Sequence, residues 1–178
     1  MRSLVAVDSN DLATLRCPWC GRPAPRSAFG FKVVRDGEVI GLATCSPADQ
    51  LGGLYPVASV VITQLWVRPD DVGELVGSQL VQRAAAVVVG TRRLRYLVAG
   101  GTHGPSDCRH LPARFLSALG FTESVPGVQW RLDLRRTARV KQAVRSASAL
   151  MGRLLDGRRP APAGRTTRGV PPSPSSPH

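Results

Sequence analysis

The chain has 178 residues, enough for one ordinary domain with a real core and too few for two full-sized ones. Hydrophobic residues make up 43%, which excludes wholesale disorder. The longest uninterrupted apolar run, Ala84 to Val89, is far short of the roughly 20 residues that span a bilayer. The net charge of +12 suggests a polyanion partner until it is partitioned: residues 1–134 hold 14 Arg/Lys against 11 Asp/Glu, whereas residues 135–178 hold 10 against Asp156 alone. The surplus therefore belongs to the C-terminal quarter, where a solvated helix face and an open tail account for it better than a nucleic-acid surface does. With no signal-peptide pattern at the N-terminus, the expectation is a soluble, cytoplasmic protein with reduced cysteines.

The segment Leu4 to Leu15 has room for a first strand and a short helix. Phe29 to Val34 and Glu38 to Cys45 flank Asp36-Gly37, a strong turn signal, and predict an antiparallel hairpin. A loop with Pro47, Gly52, Gly53 and Pro56 follows. Ala58 to Val67 is β-branched and almost wholly apolar, the pattern of a central strand covered on both faces.

After Arg68-Pro69-Asp70-Asp71 the period lengthens. Leu75, Leu80, Ala84, Val87 and Val88 share one helical face, and Gly90 is suited to end the helix. Leu94 to Ala99 predicts another buried strand, and residues 100–110 a polar loop. Leu111, Phe115 and Leu119 predict a late helix closed by Gly120, and a last strand pair spans Phe121–Ser124 and Val128–Leu134. The fold class is therefore α/β: a mixed, mostly antiparallel central sheet flanked by helices. The expected divisions are a domain at 1–134, an amphipathic helix at 135–156, and a disordered basic Pro/Ser-rich tail at 157–178.

The stretch LWVRPDDVGELVGSQLVQ, Leu65 to Gln82, runs from a buried strand through a turn into an amphipathic helix. Such a junction leaves free backbone N–H groups at a helix N-terminus, which bind phosphate oxygens without any side chain. Here the sequence resembles the GNAT acyltransferase superfamily, whose hallmark is V-x-P-x-x-R-G-x-G-x-G between strand and helix. Val67, Pro69, Gly73, Gly77 and Leu80 fall on its positions, and LPARFLSALGF (Leu111 to Phe121) is similar to the late helix of an actinobacterial-type subgroup. The resemblance implies a GNAT-like fold that uses acetyl-CoA as co-substrate. By the same resemblance, the backbone of Leu65, Trp66 and Val67 pairs with the pantetheine arm, and Val72, Gly73, Glu74, Leu75, Val76, Gly77 and Ser78 hold the pyrophosphate. The match is incomplete: Val72 replaces the usual Arg or Gln, Leu75 the middle glycine, and Leu116 the tyrosine that many members use to protonate the thiolate.

Two other clusters bear chemistry. Cys17-Pro-Trp-Cys20-Gly reads as half a zinc ribbon, but no second close pair supplies the remaining ligands, so the expectation is no metal, with Cys17 and Cys20 the weak alternative. His103, Asp107, Cys108 and His110 crowd the loop after the second central strand, where ligands of α/β sheets sit. With Glu74, three of these (Asp107, Cys108 and His110) are the weak candidates for a catalytic role, and no residue stands out as catalytic.

The implied activity is transfer of an acetyl group to an amine. A lysine amine with pKa about 10.4 must lose a proton at pH 7 at about 4.6 kcal/mol, and an α-amine near 7.7 at only about 1 kcal/mol, which favours a low-pKa acceptor. The alternative is a catalytically degenerate GNAT-like module whose basic C-terminus binds a partner or nucleic acid.

Overall fold

The structure, a computed structural model, describes residues 1–25, 29–53 and 55–135, so the helix and tail expected beyond that point lie outside the described residues. Strand β1 (Arg2–Ala6) leads into a short helix α1 (Ser9–Thr14), opened by a capping box in which the Asp8 and Asp11 carboxylates each accept the other's backbone N–H. The expected hairpin is β2 (Phe29–Arg35) and β3 (Glu38–Pro47), turning at Asp36 and Gly37, both with positive φ. Then come β4 (Ser59–Val67), α2 (Val76–Gly90), β5 (Tyr96–Thr102), β6 (His110–Pro112), α3 (Ala113–Ala118), β7 (Thr122–Val125) and β8 (Gln129–Asp133).

These strands form one mixed sheet in the order β1-β2-β3-β4-β5-β8-β7, with β6 attached to β5. The β4–β5 contact is parallel and every other neighbour along the main path is antiparallel. Helix α2 covers one face, burying Val76, Leu80, Val81, Ala84 and Val88 against Val33, Ile40, Ala43, Leu65 and Leu97. Burying side chains of this kind stabilises by roughly 1.5–3 kcal/mol each. A smaller core lies apart from it, where Leu42 and Trp66 meet Cys17 and Cys108. No described helix is long and apolar enough to cross a membrane.

The feature that shapes the site is a divergence of β4 from β5. Their pairing runs from Ser59↔Tyr96 to Ile62↔Ala99 and goes no further. There the β3–β4 register slips, because Thr44 faces Gln64 while Cys45 faces Ile62, leaving Thr63 as the extra residue of a bulge. A bulge bends its strand, and β4 swings away from β5. The freed edge of β5 is taken by β6, which pairs in parallel from Gly100↔His110 to Thr102↔Pro112.

Three expectations are corrected here. The strand expected at Leu94–Ala99 begins at Tyr96 and runs on to Thr102, and the late helix begins at Ala113 because His110 to Pro112 are extended. The reason is close approach: a Cβ on Gly100 would lie 2.6 Å from the Arg109 carbonyl, and one on Gly101 would collide with the Trp130 ring. The glycines read as loop residues are what let β6 and Trp130 press against β5. Leu75, counted on the apolar face of the helix, instead stands 69% exposed just before it.

Gly101→Ala should therefore destabilise by about 1–3 kcal/mol, since both Trp130 and Leu116 must move. Urea unfolding of the two proteins measures this; an unchanged midpoint would mean the glycine is not packed as described.

Candidate functional site

At the start of α2 a 3-10 turn, Pro69–Asp71, is pinned by a buried carboxylate. Asp71 is 1% exposed and accepts from Arg35 at 2.7 Å and Arg68 at 2.5 Å. The chain then passes through Gly73 (φ +95) and Leu75 (φ +63) into the helix. Leu75 thus keeps a left-handed backbone suited to glycine, at a cost of about 1–2 kcal/mol. The first intrahelical bond is Gln79 N–H to Leu75 C=O, and no side chain caps the helix. The amides of Val76, Gly77 and Ser78, in the first turn, have no intrahelical acceptor and lie at the positive end of the helix dipole.

The other residues predicted around this turn are differently employed. Val72 is exposed and extended, and Gly73 has open space where a side chain would stand. The Glu74 carboxylate is engaged by Arg35 and Arg2, and its carbonyl accepts from Arg2 Nη1, so Glu74 is a structural acid at this end of the sheet. Gly77 faces inward: a Cβ there would meet the Phe115 ring at 3.3 Å. It lets α2 pack closely against Phe115 of α3.

Within the β4–β5 opening the structure unites residues that are far apart in sequence. Arg68 N–H donates to Ile40 C=O, so Leu65 and Val67 direct their backbone groups away from β3, into the opening. Leu65 N–H donates to the Cys108 carbonyl at 2.7 Å, and the Val67 carbonyl accepts from the Trp19 indole at 2.6 Å. The side chain of Trp66 lies on the opposite face of the sheet from α2, packed with Cys17 and Cys108. Arg22, two residues past Cys20, pairs with Asp107 at 3.2 Å. The knuckle Cys17–Gly21 and the Asp107–His110 loop are therefore clasped together over the β4 edge.

Asp107 organises that loop. Its Oδ1 accepts from the amides of Arg109 and His110 and lies 3.2 Å from His110 Nδ1. Burial alone would raise its pKa, but the two amides and the His110 ring outweigh it and hold the carboxyl below the usual carboxylate range. Cys108 is buried, and desolvation pushes its thiol up to about 11, so on its own it is a neutral thiol and a poor nucleophile. His103 is directed elsewhere, to Glu123 at 3.0 Å beside the Trp130 ring. Of the four catalytic candidates, Asp107, Cys108 and His110 stand together and Glu74 stands with the α2 turn.

Sequence reasoning missed Trp19, Arg22 and Asp71. Trp19 and Arg22 flank the second cysteine of the knuckle, a signal available in CPWCGR; Asp71 carried no signal separating it from Asp70.

Residues 2–105 match the profile of the Acetyltransferase (GNAT) family. The chain belongs to the GNAT acetyltransferase family. Among solved structures, this GNAT chain is similar to the ribosomal-protein-S18-alanine N-acetyltransferase from Escherichia coli, with 13% identity, TM-score 0.56, and 75% of this chain and 94% of that one covered. It is also similar to the GNAT-like decarboxylase GphF in complex with isobutyryl-CoA, with 15% identity, TM-score 0.55, and coverage of 74% and 99%. At these identities the likeness shows the fold. No curated protein matches the chain.

Asp107 generates a pH prediction. Because its folded pKa is lowered, it contributes stability that is present above its unfolded value near 3.9 and is lost as pH falls through the lower folded value. Asp107→Asn should flatten the acid limb of a stability–pH curve below about pH 4 and leave its shape near pH 7 unchanged. Chemical denaturation across pH 2–7 checks this, and an unaltered acid limb would contradict it.

Proposed function

We propose that this GNAT chain is an acyl-CoA-dependent N-acyltransferase that moves an acetyl group to an amine. The observation that carries this reading is the run of first-turn amides at Val76, Gly77 and Ser78, at the head of the 15-residue helix that follows the bulged strand through the Pro69–Asp71 turn. Three first-turn amides and a helix dipole suit a pyrophosphate. When bound, acyl-CoA would supply the activated acyl group.

The fit is divided along the length of such a molecule. The head of α2 accepts its phosphates without rearrangement. The β4 edge does not accept a pantetheine arm as it stands, because the Leu65 amide and the Val67 carbonyl are already paired with Cys108 and Trp19. Occupancy of that edge requires the Cys108 loop and the indole to withdraw. No proton path to an acceptor is assigned, since Glu74 is bound by two arginines and Asp107 by Arg22 and backbone amides. A low-pKa amine, which needs little help in losing a proton, is the acceptor class most compatible with that environment. A reducing compartment such as the cytoplasm suits the four free cysteines.

The inward-facing Gly77 makes Leu75 the position to vary. Acetyl-CoA at a hundred times its dissociation constant should stabilise the protein by about 2.7 kcal/mol in thermal unfolding. Leu75→Gly should strengthen binding and remove the left-handed strain. Leu75→Asp should abolish the shift while leaving the protein folded, because aspartate tolerates that backbone and sets a carboxylate against the phosphates. A protein unmoved by millimolar acetyl-CoA, or an aspartate variant shifted as much as the parent, would refute the assignment.

A further inference from the structure

The sulfur atoms of Cys17, Cys20 and Cys108 lie within 4.8 Å of one another, although Cys108 is 88 residues from Cys20. From their geometry we infer that these three cysteines form a metal site for a soft divalent cation, zinc by chemical class, with a fourth coordination position open to water or an exogenous ligand. The inference is argued from the cysteines alone and does not rest on the acyltransferase reading, although an ion there would hold in place the Cys108 loop that this reading needs to withdraw.

Three observations carry it. The first is spacing. Tetrahedral thiolates at a Zn–S distance of about 2.3 Å stand about 3.8 Å from each other, and Cys20 Sγ lies 3.6 Å from Cys108 Sγ. That is far outside a disulfide bond of about 2.05 Å, and a disulfide would leave the third sulfur without a function. The second is the turn. Gly21 N–H donates to the Cys17 carbonyl, Cys17 N–H donates to the Arg22 carbonyl, and Gly21 has φ +70, so the chain reverses tightly and brings both knuckle sulfurs up to Cys108.

The third observation is the environment of Cys108. Gln64 is fully buried, and its Nε2 lies 3.4 Å from Cys108 Sγ. An amide nitrogen only donates, so the sulfur is the acceptor, the arrangement found around a coordinated thiolate. Its Oε1 has no hydrogen-bond partner among the described residues. On binding a divalent ion, each thiol gives its proton to solvent as its sulfur coordinates.

The buried Cys17 and Cys108 provide the inner wall, and the exposed Cys20 leaves one side open to solvent. Three protein ligands and an open position are the pattern of zinc sites that exchange a ligand rather than closed structural ones. Bound there, the ion would bolt the knuckle to the loop that holds the Leu65 amide.

The test uses the full chain, purified without chelator, reduced, and dialysed against excess zinc. Elemental analysis should give one zinc per chain, and cobalt should produce thiolate-to-metal charge-transfer absorption. Cys20→Ser, at an exposed position, should fold and lose both signals. Cys108→Ser should lose them too, whereas Cys45→Ala, in the other core, should keep them. Retention of stoichiometric metal by Cys20→Ser would overturn the site. So would a fully reduced parent protein that takes up neither metal, or one whose Cys20 and Cys108 cycle through a disulfide and bind no ion when reduced.

Discussion

The hydrogen bond from the Leu65 amide to the Cys108 carbonyl is the interaction on which the site depends. A parallel strand pair that splits exposes two polar edges, and buried backbone groups left unpaired cost about 1–3 kcal/mol each. The bulge at Thr63 opens the split and the chain closes it with its own backbone: β6 pairs with β5, and Cys108 caps β4. Everything gathered there follows from that closure. The Asp107 turn presents the loop, Arg22 ties it to the knuckle, and Trp19 covers the next carbonyl of β4.

The consequence for function is a competition. On the proposed reading, an extended acyl-CoA arm would have to supply hydrogen bonds to the edge of β4, and here the protein supplies them itself. On that reading a ligand that enters must replace one hydrogen bond at Leu65 and another at Val67, so its net gain there is small, whereas at the head of α2 it would meet three amides that have no intrahelical acceptor. Affinity should accordingly reside in the phosphates, and the reacting end should depend on how firmly the Cys108 loop is held.

Much of this was legible in the sequence. The hairpin at Asp36-Gly37, the doubly covered strand β4 and the amphipathic α2 follow from period and turn chemistry, and the strand-turn-helix after Leu65 carried the family. Less legible was the convergence of Cys17, Cys20 and Cys108. Metal-ligand spacing is read from pairs close in sequence, and here the third ligand arrives through the topology of β5 and β6. The roles of Gly100 and Gly101 were hidden for a similar reason: a glycine pair looks like a loop unless the partner pressing on it is known. Leu75 shows the opposite failing, since its spacing matches the apolar face of the helix although the turn leaves it in solvent.

The central claim is that the β4 edge is closed by the chain itself. Site-resolved amide hydrogen exchange measures it directly. The account predicts that the Leu65 amide is protected in the ligand-free protein to a degree comparable with the paired residues of β4. It predicts also that this protection collapses in Asp107→Ala, which removes both the Arg22 clasp and the amide acceptor of the loop, while Val61 stays protected. A Leu65 amide that exchanges freely in the unliganded parent protein would mean the cleft stands open, and would contradict the account.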